Sequence, residues 1–321
     1  MSNPILSIII PVYNGGGFID KCLSSLIKED LKYETEVILV DNASTDDSYS
    51  LCERWKNRMS NIHLYREVHK GASNARNLGI QKARGKYLTF VDIDDYLIES
   101  FSDVVKLLER IDTDAVIAEA THGYLKASKS ISTHNFSGVS GIKECFESGL
   151  LINTAPHAKF FKNELLQRNH ILFPLNVIVG EDAVFLFDFL SRAKSITYVD
   201  IPIYVYQDNA SSIIHREYSV NQEWIDYCEM RKSLLSFCKI FQINYDNKFK
   251  WSILTSRLRR YLKVCIRNSK DIRKDLKKIP YEDTAHYGQG QRLSVGGKVF
   301  SLLVRFRLFT LISIIGKSRK H

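Results

Sequence analysis

Gly85-Lys86-Tyr87-Leu88-Thr89-Phe90-Val91-Asp92-Ile93-Asp94-Asp95 sets an apolar run directly against three carboxylates. The run from Lys86 to Val91 reads as a buried strand, and the acids stand at its carboxyl end. Three carboxylates within four residues repel one another, which is costly without a cation or a group of basic side chains. Hard divalent ions such as Mn2+ or Mg2+ suit carboxylate oxygens together with phosphate oxygens. The competing reading of the same residues is a solvated turn that caps a helix starting near Tyr96.

Upstream, the chain alternates short apolar runs with helical spacing. Leu6-Ser7-Ile8-Ile9-Ile10 is a β-branched run ended by Pro11, read as a strand buried on both faces. Gly15-Gly16-Gly17 reads as a flexible turn, and residues 18–27 carry helical spacing through Phe18, Cys22, Leu23 and Leu26. Glu36-Val37-Ile38-Leu39-Val40 is a second buried strand, followed by the cap-rich run from Asp41 to Asp46. A helix over 49–56, a short strand over 62–65 and a helix over 73–83 complete this half. Strand and helix in alternation imply a parallel sheet with helices on both faces. Ligands bind such sheets outside the carboxyl ends of the strands. Asp41 and the acids from Asp92 to Asp95 therefore converge on one rim.

Further along, residues 199–206 look like strand, and residues 223–278 read as helical and increasingly basic. Arg76 sits near the start of its helix, where the dipole disfavours a cation, so a nucleotide base or a carboxylate partner must supply the reason. Gly180-Glu181-Asp182 opens an apolar helical pattern. Its acids read either as ordinary capping or as a general base beside an acceptor hydroxyl.

Five stretches together resemble the bacterial family 2 glycosyltransferases of the GT-A fold. They are 6–14, 36–46, 71–80, 85–95 and 180–185, in the family's order, and the likeness covers roughly residues 5–215. The resemblance implies an inverting transfer of a sugar from a UDP-sugar. It assigns Pro11, Val12, Tyr13, Asn14, Asp41, Ser44, Arg76, Asp92, Ile93 and Asp94 to the donor. Among them, Asp41 would accept from the uracil N–H and Arg76 would lie near the base. Asp92 and Asp94 would hold Mn2+ or Mg2+, with His215 as a further ligand. Asp182 would be the catalytic base with Glu181 in support, and Asp95, His157 and Lys159 would face the acceptor. The triple glycine and His157 depart from the family's usual text, and both departures concern the acceptor side.

The domain expectation is a catalytic region over 1–215, with a donor half to residue 95 and an acceptor half from 96. A helical extension over 216–290 and a basic amphipathic tail over 291–321 follow. Six dispersed cysteines without a C-x-x-C pair argue against zinc and disulfides and for a reducing compartment. No secretory leader is expected from the first residues. From Arg257 onward there are 17 Lys/Arg against 4 Asp/Glu, while the rest of the chain carries 28 against 32. Such a tail faces something anionic. The apolar run over 298–317 has Arg305 and Arg307 at its middle, at a cost of about 2.5–3.5 kcal/mol each in a bilayer, so a span is disfavoured. A helix lying on the inner face of the cytoplasmic membrane fits better, with a homo-oligomer interface as the rival. Nucleic acid is not expected as a partner. A polyprenyl-diphosphate-linked glycan in surface polysaccharide assembly is the expected acceptor. The competing functions are a nucleotidyltransferase of related fold and a non-catalytic basic binding protein.

Overall fold

The computed structural model describes residues 3–26, 35–122, 131–207, 218–289 and 291–312. The first half alternates as its apolar spacing requires: β1 (Leu6–Val12), α1 (Ile19–Leu26), β2 (Thr35–Asp41), α2 (Ser48–Arg58), β3 (Ile62–Arg66), α3 (Ala72–Lys82) and β4 (Tyr87–Phe90). The middle adds β5 (Tyr96–Leu97), α4 (Ser100–Arg110), β6 (Ala115–His122), β7 (Thr133–Ser137), α5 (Gly138–Glu147), β8 (Lys159–Lys162), α6 (Asn163–Arg168), α7 (Glu181–Leu190) and β9 (Ser195–Tyr206). Helices close the chain: α8 (Val220–Ile240), α9 (Lys248–Asn268), α10 (Ile272–Lys277), α11 (Tyr281–Ala285) and α12 (Val295–Arg305).

One sheet runs in the order β3-β2-β1-β4-β8-β6-β9-β5, with β7 paired to β9. The first four strands are parallel, and β8, β5 and β7 enter antiparallel. Because side chains alternate across a strand, β1 sends Ile9 to one face and Ile8, Ile10 and Val12 to the other. The first face is filled by α3, α5 and α7 with an aromatic cluster in which Phe173 stacks on Phe185 at 4.0 Å. The second is filled from α1, α2 and α4.

Three local expectations are corrected. Pro11 does not end β1, which runs on to Val12. Ile9 turns its carbonyl toward β4 and accepts from Val91 N at 3.0 Å. Pro11, two residues on, faces the same side beyond the last β4 partner, where its missing N–H breaks no rung. No helix begins at Tyr96, which pairs with Val205 on β9 as a short strand. The tail helix is also interrupted. α12 ends at Arg305, Arg307 takes a left-handed backbone (φ 53°), and Val304, Phe309 and Ile312 turn into a core shared with Tyr227, Leu262 and Tyr287. The two mid-segment arginines spend their donors on backbone, Arg305 Nε to Tyr287 O at 2.8 Å and Arg307 Nη1 to Ile279 O at 3.1 Å. Among the described residues no helix is long and apolar enough to cross a membrane.

Candidate active site

The carboxyl ends of β1, β2 and β4 form the rim that the alternation implied. Asp41 is the last residue of β2, and its side chain is fully buried. Neither carboxylate oxygen has a hydrogen-bond partner, and the nearest cation is Arg66 Nε at 3.4 Å. A buried carboxylate left with unused lone pairs fits a donor N–H brought by a ligand. Asn42 ties the loop after β2 to the head of α3, accepting from Gly71 N at 2.7 Å and donating to His69 O at 2.7 Å.

The first loop is stitched to the second. Asn14 N donates to Ser44 Oγ at 3.1 Å, and Asn14 Oδ1 accepts from Thr45 N at 2.8 Å. The triple glycine is not slack. A Cβ on Gly16 would lie 2.3 Å from Asp47 Oδ1, and one on Gly15 would lie 2.8 Å from Ile93. Those glycines let this loop close against both the β2 loop and the acidic turn. Tyr13 stays exposed with Lys70 Nζ 3.3 Å from its hydroxyl, whereas Val12 points into the core. Of the donor residues expected in this loop, Val12 therefore has only its backbone to offer.

Arg76 joins the parts. Its side chain is only 5% exposed and reaches three carboxylates: Nη2 donates to Asp92 Oδ1 at 3.1 Å, and Nη1 to Asp182 Oδ1 at 3.0 Å and Glu181 Oε1 at 3.3 Å. The guanidinium also lies over the Phe173 ring at 5.2 Å. Of the two reasons weighed for a cation so early in α3, the carboxylate partner is the one present. Arg76 is buried against the acidic turn and the head of α7. Gly180, left-handed at φ 97°, turns the chain sharply into α7, so that Glu181 and Asp182 stand in its first turn.

The second oxygen of Asp92 lies 3.1 Å from His157 Nε2, and the imidazole stacks on Tyr204 at 4.9 Å. Tyr204 donates its hydroxyl to Asp95 Oδ2 at 2.5 Å, and Gln207 N donates to Asp95 Oδ1 at 2.8 Å. Asp95, His157 and Lys159, expected to face an acceptor, are all buried instead. Lys159 Nζ donates to Ala155 O at 2.6 Å. Asp95 and His157 brace the acidic turn from within, while Lys159 ties the loop before β8. Tyr204 and Gln207 were not singled out in the sequence, although a polar residue closing a strand opposite the acids was the available signal. His215 lies outside the described residues.

The charges are shared unequally. Burial works to raise Asp92, but His157 and Arg76 outweigh it and hold this carboxyl well below the usual range. Burial lifts Asp95 to about 6 despite its Tyr204 and Gln207 bonds. Burial lowers Lys159 to about 8. Glu181 is raised by burial and by the neighbouring Asp182, and Asp182 is raised by burial against the pull of Arg76. Ligand oxygens of Asp92, Asp94 and Asp95 fall within 4.8 Å of one another. An all-carboxylate set with more acids than fixed cations around it fits a hard divalent ion. Asp92, Asp94 and Asp95 would hold such an ion together, Asp92 and Asp95 being the two whose orientation Arg76, His157, Tyr204 and Gln207 fix.

The family described as Glycosyl transferase family 2 matches residues 7–178, more than half of the chain. The chain belongs to glycosyl transferase family 2. Within the family it is 28% identical over 226 residues to the uncharacterized glycosyltransferase EpsJ of Bacillus subtilis, covering 67% of this chain and 64% of EpsJ. It is 32% identical over 198 residues to the poly(ribitol-phosphate) beta-glucosyltransferase of Bacillus spizizenii, covering 60% of this chain and 30% of that enzyme. The chain thus spans less than two thirds of either relative. In fold it resembles residues 1–349 of S. aureus TarS, solved with UDP-GlcNAc, at TM-score 0.67 and 19% identity over 98% of this chain and 91% of that one. This is the GT-A arrangement, with a helical C-terminal region.

A pH dependence follows from the raised pair in this family 2 site. A general base must be ionised, and the ionised fraction of a group with a raised pKa grows only as pH climbs past that raised value. With one of the pair as general base, turnover is therefore expected to rise with pH above the ordinary carboxylate value of about 4. A rate profile of UDP release that is already flat from pH 5 upward would contradict it.

Proposed function

We propose that the chain is an inverting glycosyltransferase that moves a sugar from a UDP-sugar to an acceptor hydroxyl. One observation carries this reading: Arg76 ties the acidic turn after β4 to Glu181 and Asp182, so a donor site and a base share one buried cation. Asp41 offers its orphaned carboxylate to a uracil N–H, and Tyr13 offers a face for the base. TarS, of like fold, has been solved with UDP-GlcNAc and with UDP, which supports a uridine donor.

In the displacement, Asp182 takes the proton of the acceptor hydroxyl while that oxygen bonds to the anomeric carbon. The bond from that carbon to the diphosphate oxygen breaks, and its electron pair leaves with UDP. A single displacement turns an α-linked donor into a β-linked product. Arg76 keeps its charge throughout, because its three carboxylates more than offset the burial that would lower its pKa. It thus orients Asp182 and balances Asp92 without exchanging a proton. When bound at Asp94, a divalent ion supplies positive charge to the departing diphosphate. A mannosyltransferase of similar fold, solved with GDP-Man and Mn2+ at TM-score 0.52, is consistent with such an ion.

Calorimetric titration with UDP, with and without Mn2+, tests the donor site. Binding that strengthens about tenfold or more with the ion is expected. No heat in either condition would refute the assignment. A screen of UDP-sugars read by UDP release then finds the sugar.

The exposed face of α12 and the residues after it support a place of action at a membrane surface. Val295, Val299, Leu302, Phe306, Leu308 and Leu311 remain exposed beside Lys298, Arg305 and Arg307. Apolar area rimmed by cations fits the surface of an anionic bilayer, where a lipid-carried acceptor would be found. Flotation with vesicles containing anionic lipid is expected to carry the protein. Failure to float at low salt would remove the membrane from this reading.

A further inference from the structure

The displacement makes no use of a cleft of about 690 Å3 beside the head of α7. Thr154, Gly180 and Ala183 form one wall. Arg257, Arg259, Arg260 and Lys263 of α9 form the other, and no carboxylate is among the described residues that line it. The acids that answer these cations lie behind the wall, not in it. Arg257 Nη2 donates to Glu223 Oε2 and Asp226 Oδ2, both at 2.9 Å, Arg260 Nε donates to Glu223 Oε1 at 2.9 Å, and both acids are fully buried. The described residues that line the cleft thus turn four cations toward it.

One donor there is unsatisfied. Arg257 Nε is buried with no hydrogen-bond partner, in a side chain only 8% exposed. A Cβ built on Gly180 would stand 3.8 Å from that nitrogen, so the orphan lies at the residue before Glu181. A buried donor without a partner costs about 1–3 kcal/mol, which an incoming oxygen would recover. Arg259 and Lys263 also line an adjoining cavity of about 1180 Å3 with Arg292, where Ile266, Phe300 and Leu303 add apolar wall. The two cavities share those cations, so one trough leads from the head of α7 toward α12.

We infer that the acceptor bears phosphate, and that Arg257, Arg259, Arg260 and Lys263 hold that phosphate while the acceptor hydroxyl meets Asp182. The inference rests on the transferase reading, because it takes Asp182 as the place of attack. A phosphate group or phosphodiester carries several acceptor oxygens and at least one full charge, which suits a cluster of guanidinium forks better than a single uronate does. The same chemistry occurs in an alditol-phosphate chain and in a prenyl-diphosphate-linked sugar. The apolar wall of the adjoining cavity would take the lipid of the second.

The test uses the full chain with its donor site saturated by UDP and Mg2+, and three probes. These are a short alditol-phosphate oligomer, a short-chain prenyl-diphosphate-linked sugar and a uronic-acid oligosaccharide. The variant is Arg259→Ala with Lys263→Ala, both exposed on α9, so that the buried Arg257–Glu223–Asp226 network stays whole. At least one phosphate probe is expected to bind, and to bind tenfold or more weakly to the double variant. Which of the two binds identifies the source of the phosphate. Absence of binding by both phosphate probes, equal binding by the double variant, or equal binding of the uronic acid would overturn the inference. Failure of the unaltered chain to bind UDP would instead count against the transferase reading. Circular dichroism of the double variant reports that the fold is kept.

Discussion

Asp182→Asn is expected to lower sugar transfer by roughly 100- to 10,000-fold while UDP binding survives, since that is the usual worth of a positioned general base. The replacement keeps the size of the side chain, and its amide oxygen can still accept from Arg76 Nη1, which now lies 3.0 Å from Asp182 Oδ1. What disappears is the ability to take a proton. The effect should fall on kcat, with the affinity for UDP within about twofold of the unaltered chain. Turnover read by UDP release and affinity read by calorimetry separate the two. A variant that loses UDP binding along with turnover would show that Asp182 supports the donor and is not the base.

The donor half was legible because its signals are local. A β-branched run names a buried strand, and an acid directly after such a run must stand at the sheet's carboxyl rim. Asp41 and Asp92 follow from nothing more than that. The acceptor side was legible only as identities. Asp95, His157 and Lys159 lie in recognisable text, but sequence order does not say which way a side chain points, and all three turn inward. Arg76 was singled out for its unfavourable place on the helix dipole, yet its partners are 16, 105 and 106 residues away, and no spacing rule reaches so far. The same limit hid Asp226. It fixes the approach to Gly180 by accepting from Ile178 N at 3.0 Å and Val179 N at 3.1 Å across nearly fifty residues. The extension is thus part of the site, holding the turn that aims Glu181 and Asp182. In the tail, composition gave the amphipathic character, but the break at Arg307 is a backbone event that its residues do not announce.

Arg76→Leu is expected to cost about 3–5 kcal/mol of stability, the range found when one partner of a buried ion pair is removed. The leucine also leaves the place of the guanidinium over Phe173 empty, which adds a smaller packing loss. Asp92, Glu181 and Asp182 would be left close together with no fixed cation among them. Three half-buried carboxylates in that state must either take up protons or spread apart. Asp92 changes most, because it loses one of the two groups that hold its pKa down while burial continues to push it up. The sign of the pH response follows. The Asp92 stability present above its unfolded pKa shrinks, and Glu181 and Asp182 lose the cation that opposed their upward shifts. The variant should therefore be least deficient at low pH, where the carboxylates are protonated, and most deficient near neutrality. Urea unfolding at pH 5 and pH 7.5 measures both terms, and UDP release measures the accompanying loss of turnover. Arg76→Lys restores a charge but not the fork that reaches Asp92 with one nitrogen and Asp182 with the other. It should recover stability more fully than turnover. Equal stability of Arg76→Leu and the unaltered chain at pH 7.5 would mean that the carboxylates do not need this cation, and the coupling of donor site to base would lose its physical basis.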